Sequence, residues 1–200
     1  TGVQKYMIID GQQRMTTLTL LLLALRDYAI KNPNDTTINA RRIDNMLLKN
    51  EYENGDERYK LLLTETDRDI LISLVEKKPI AEGTRSRLIE NYNFFDKKLA
   101  DKEIQPAEVY ESIGKLQIVN ITLDRTVDDA QAIFESLNST GKELLESDLI
   151  RNYVLMGLAP SEQTYVYEHL WRPMEQLFIY ETQGSVMDAF FRHYLTMKFS

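Results

Sequence analysis

Two short stretches of this sequence carry side chains that could do chemistry. The first is Asp10-Gly11-Gln12-Gln13-Arg14, followed by Met15-Thr16-Thr17. An apolar run ends there and a leucine-rich segment begins, so the stretch reads as the turn between a strand and a helix. The free N–H groups of a first helical turn point outward, and the helix dipole favours an anion there. Gly11 lets a phosphate approach the backbone closely. Arg14 can fork two phosphate oxygens, Gln12 and Gln13 can donate to oxygens or orient a water, and Asp10 can hold a magnesium ion beside phosphate oxygens. A purely structural reading is also coherent: Asp10 caps the helix, Gly11 makes the turn and Arg14 pairs with Asp10.

The second stretch runs from Phe134 to Gly141 and on through Leu144-Leu145 to Ser147-Asp148-Leu149-Ile150-Arg151-Asn152. Asn138 or Asp148 could reach a ligand. Capping accounts for most of these residues, with Gly141 as a left-handed helix stop, Asp148 as a cap, and Leu144 and Leu149 in the core.

The elements that position these stretches are mostly helical. Tyr6 to Ile9 reads as a short strand. Leu18 to Ile30 reads as a helix apolar nearly all round, which implies burial on several sides, and Asn32-Pro33-Asn34-Asp35 ends it. Ile38 to Leu48 predicts a second helix, Asn50 to Asp56 a polar turn, and Arg58 to Leu63 a possible strand. A helix follows from about Asp67 to Glu76, capped by Thr64 or Thr66, then a loop from Lys77 to Thr84. Helices are expected over Ser86 to Leu99 and from Pro106 to about Leu116. Gln117 to Asp124 alternates as a strand does: Ile118, Asn120 and Thr122 face away from Val119, Ile121 and Leu123. Asp128 to Leu137 and Ser147 to Met156 read as helices, and beyond Ser161 come two or three aromatic-rich helices broken near Pro173 and Gly184.

Composition narrows the function classes. The 200 residues are 43% hydrophobic and 28% charged, an ordinary globular balance. Lys and Arg total 24 against 31 Asp and Glu, for a net charge of −7. That argues against a broad basic surface wrapping nucleic acid. With no cysteine there is no disulfide, thiolate nucleophile or cysteine-held zinc, which is compatible with a reducing, cytoplasmic setting. His169 and His193 lack paired-ligand spacing, so neither a His-rich metal site nor a His–Asn–His nuclease site can be built from this chain alone. The apolar run Leu18 to Leu25 is far short of a membrane span. The aromatics between Tyr165 and Tyr194 suit helix packing better than base stacking. The acidic cluster of Glu143, Glu146 and Asp148 suits a solvated helix start.

Ile8 to Leu18, with its Asp-Gly-Gln-Gln-Arg core, resembles the signature of a large prokaryotic family. Its members include the N-terminal domain of GmrS/GmrD-type modification-dependent restriction enzymes and related phage-defence proteins. The run from Ile133 to Asn152 resembles the family's second signature, in the same order and spacing. The resemblance implies an α+β, predominantly helical fold: a remnant of a small ParB/sulfiredoxin-like mixed sheet joined to a helical bundle. Residues 1–157 would form the motif-bearing domain, incomplete at its N-terminus, and 158–200 the start of a helical C-terminal region.

In that group a Gly-x-x-Arg element binds nucleotide phosphate, and Gly11-Gln12-Gln13-Arg14 occupies the pattern. The resemblance therefore implies binding of an NTP (GTP or ATP) with Mg2+, held by Gly11, Gln12, Gln13, Arg14, Thr16 and Thr17, with Asn138, Gly141 and Asp148 in support. Asp10 would take the metal, and any hydrolysis would involve Asp10, Gln12, Gln13 and Arg14. The implied partners are DNA, through the full-length protein, and a C-terminal His–Asn–His nuclease domain in cis or in trans. The segment that family members carry before the first signature is not in this sequence, nor is the nuclease domain. Weak or no hydrolysis is therefore expected of this chain. The alternatives are a non-enzymatic helical interaction module, or a DNA-binding domain, in which the turn is structural.

Overall fold

A computed structural model describes residues 2–8, 10–122, 145–156, 158, 160–178 and 185–199. The chain divides into two compact units, Thr1–Asn120 and Ile121–Ser200.

The first unit is built around α1, Gln12–Lys31. Its run of leucines has no polar face, so it must be surrounded. Leu20, Leu23, Ala24 and Leu25 are buried. They pack with Ile43, Leu48, Leu71, Val75, Leu88 and Leu99 in one core cluster. The main wall is α4, Arg87–Ala100, which lies along α1. Ser86 starts α4 by accepting the Leu88 amide at 3.1 Å. Asn39 likewise caps α2, Ala40–Ile43, by accepting the Arg42 amide at 3.0 Å. From α2 the chain runs into a π-helical turn, Asp44–Leu48. A 3-10 turn over Gly55–Arg58 follows.

Next comes α3, Glu65–Glu76. It stops at Lys77, which takes the left-handed conformation at φ 54°. The Lys78 amide reaches back to the Ser73 carbonyl at 2.9 Å, closing the last turn. The Thr64 carbonyl accepts the Asp67 and Arg68 amides, but its side chain caps nothing. Pro106 opens α5, Pro106–Gly114, at the first-turn position where its missing N–H costs least.

Most described helices stand where their apolar periodicity puts them, but α1 starts earlier than Leu18, and no break falls near Pro173, since residues 160–178 are helical throughout; the expected strands are not formed. Among the described residues the only β pairing is one antiparallel bridge between Lys49 and Tyr59, so the expected strand over Arg58 to Leu63 contributes a single residue. Neither 2–8 nor 117–122 is a strand. Both are open chain, with Tyr6, Met7, Ile118 and Val119 exposed. Alternation says that a segment has two unlike faces. It becomes a strand only when another edge takes its backbone N–H and C=O groups, and no described residue does so. No mixed sheet is present among the described residues.

In the second unit α6 spans Glu146–Met156 and α7 Pro160–Val166. A π-helical turn, Tyr167–Trp171, leads into α8, Arg172–Phe178, and α9 spans Ser185–Phe199. Asp188 on α9 is buried and caps α6, accepting the Ser147 amide at 2.8 Å and the Glu146 amide at 3.2 Å. Trp171 stacks on Phe191 at 5.6 Å, and Phe190 touches Phe178, Phe191 and Tyr194. These aromatics pack helix on helix. Asp124, the Asp128 to Leu137 helix, Asn138, Gly141, Glu143 and Gly184 lie outside the described residues.

Candidate functional site

The Asp10 to Arg14 stretch is the N-terminal end of α1. The helix starts at Gln12 rather than Leu18, so the two glutamines and Arg14 form its first turn. Gly11 stands at the cap position with φ 85° and ψ 9°, a left-handed conformation natural to glycine. No side chain caps the helix, and its first turn holds no acidic residue. The amides of that turn face outward without a side-chain acceptor.

Asp10 is spoken for on both oxygens. Oδ1 accepts the Gly11 amide at 2.6 Å, and Oδ2 accepts Arg14 Nη2 at 2.8 Å. The Arg14 side chain is still 76% exposed. A Cβ at Gly11 would lie 3.7 Å from the Arg14 guanidinium, so the arginine folds back over the glycine. Gln12 Nε2 donates to the Ile8 carbonyl at 2.7 Å, tying the incoming chain to the turn. Thr16 donates its hydroxyl to the Gln12 carbonyl at 2.8 Å. Gln13 and Thr17 are exposed. The structure thus gathers Asp10, Gly11, Gln12, Arg14 and Thr16 into one turn.

Asp148 belongs to the second unit, in the first turn of α6, where it pairs with Arg151 at 2.9 Å. The cap of that helix is Asp188, which sequence reasoning passed over in favour of Ser147 or Asp148. A capping residue forty positions downstream leaves no local pattern. For a metal, Asp10 is a lone carboxylate: no group of three or more His, Cys, Asp or Glu gathers among the described residues. One carboxylate is enough for magnesium only when phosphate oxygens complete its shell.

A second charged centre went unforeseen. Arg26 is 2% exposed inside the leucine run. It donates to Asp27 and Asp44, each at 2.9 Å, and to the Val75 and Leu74 carbonyls at 2.7 and 3.1 Å. Tyr92 donates to Asp27 at 2.8 Å, and Lys77 pairs with it at 3.0 Å. Lys49 bridges Asp44 and Glu76, and Arg58 also holds Glu76. Burial alone would push the Asp27 carboxyl up; hydrogen bonds from Arg26 and Tyr92 outweigh it and hold it below the usual range. The same opposition, with Lys49 and Arg26 as donors, holds Asp44 down. The sequence did carry one signal. Leu22, Leu23 and Ala29, one turn either side of Arg26, are all apolar, which places its charge on a buried face.

No helix among the described residues is long and apolar enough to cross a membrane. A family model described as the N-terminal domain of the GmrSD restriction endonuclease matches residues 1–155. That range takes in both signature stretches. No curated protein and no solved structure matches the chain.

Proposed function

The chain belongs to the family of GmrSD restriction endonuclease N-terminal domains, and from that premise we propose that the turn at the start of α1 binds the phosphates of a nucleotide. In this reading the domain is the nucleotide-sensing part of a DNA-restriction, phage-defence protein. Nucleotide state sets how it presents a nuclease domain that acts on DNA.

The observation that supports the reading most is the uncapped first turn of α1, with Gly11 left-handed and Arg14 mostly exposed above it. Outward amides and an exposed guanidinium are what a phosphate needs. The amides of Gln12, Gln13 and Arg14 would receive phosphate oxygens, and Arg14 would leave Asp10 to fork two of them. Gln13, Thr16 and Thr17 lie within one turn and would extend the contact. Asp10, released from Arg14, is the residue that would hold magnesium beside the phosphates. When bound, the ion would supply neutralisation of phosphate charge. Asn138, Gly141 and Asp148 remain proposed as supporting residues.

The Asp10–Arg14 pair also favours a second reading, in which the turn is structural and the domain a non-enzymatic interaction module. Magnitudes separate the two. An exposed i,i+4 ion pair is worth about 0.3–0.5 kcal/mol. Titration calorimetry of GTP and of ATP with magnesium into the chain and into Arg14→Ala tests both. Binding by the parent that vanishes in an equally stable variant supports the phosphate site. Destabilisation of Arg14→Ala by well over 1 kcal/mol, with no nucleotide heat in the parent, supports the structural turn.

A further inference from the structure

We draw no further inference here: the strongest candidate, the uncharged open segment 117–122 that follows α5, with Ile118 and Val119 exposed, carries nothing because nothing in the structure shows what covers it.

Discussion

Arg26→Met removes the cation on which three segments converge while keeping much of the volume. The parent side chain makes bonds to two carboxylates and two carbonyls, and it is buried. Breaking a buried ion pair from one side costs about 3–5 kcal/mol, because the partner charge is left uncompensated. Here the partners are not fully abandoned. Asp27 keeps Tyr92 and Lys77, and Asp44 keeps Lys49. The Val75 carbonyl loses its side-chain donor. The expected loss is therefore in the lower part of that range, about 3 kcal/mol.

Urea unfolding followed by circular dichroism measures it. With a slope of about 2 kcal/mol per molar urea, the first unit's midpoint should fall by about 1.5 M. The only tryptophan, Trp171, lies in the second unit. Its fluorescence midpoint should stay put, which separates a local loss from a general one. Arg26→Lys should recover less than half, since an ammonium cannot reach two carboxylates and two carbonyls at once. A midpoint change under about 0.5 M in Arg26→Met, equivalent to about 1 kcal/mol, would refute the reasoning and show the network to be replaceable by packing alone.

The same network sets a pH dependence. Asp27, Asp44 and Glu76 have folded pKa values below their ordinary 3.8 to 4.5. Their stabilisation is fully present above those ordinary values and lost as pH falls through the lowered ones. The first unit should hold its midpoint from pH 7 to about 5 and lose it steeply below about 4, with a shallower fall in Arg26→Met. A flat acid profile in the parent would contradict this. Asp188→Ala should uncap α6 and lower the Trp171 fluorescence midpoint by the equivalent of about 1–2 kcal/mol, leaving the first unit unchanged. Gly11→Ala meets no clash, since its Cβ would lie 3.7 Å from Arg14. Its cost is that of holding a left-handed alanine, about 1–2 kcal/mol, read as a lower thermal midpoint with nucleotide heat reduced alongside.

Helix positions were legible because a helix carries its own period: the Leu18 to Ile30 pattern and the Pro106 start lie within the observed elements, and Ser86 is the cap of α4. The early start of α1 was missed because Gln12 to Thr17 has no apolar face to mark it. Strands were over-read, because Gln117 to Thr122 has the right alternation but pairing depends on an edge that alternation does not specify. The turn at Asp10 was legible down to its alternative: the expected Asp10–Arg14 pair is present, while Asp10 caps neither the second nor the third amide of the helix. The Arg26 centre and the Asp188 cap depend on residues 18 to 49 and 41 to 42 positions apart, distances at which a single sequence shows composition but not contact.

The cost structure of α1 itself bears on what its first turn is for. This chain caps three helices with side chains, Asn39 on α2, Ser86 on α4 and Asp188 on α6, and leaves the shorter α3 and α5 without one. At the start of α1, its longest described helix, it places a glycine, two glutamines and an arginine. A cap there would add about 1 kcal/mol, and a cation in the first turn opposes the dipole by a few tenths more. Asp10 recovers part of this, but it bonds Gly11 and Arg14 rather than the amides that follow. The leucines beyond make the helix secure without help from its end, so the end is free to be suboptimal. Local rules give way in folded proteins where a site needs the geometry more than the fold needs the stability. An exposed arginine over unclaimed amides, on a helix anchored by a buried core, is such a place.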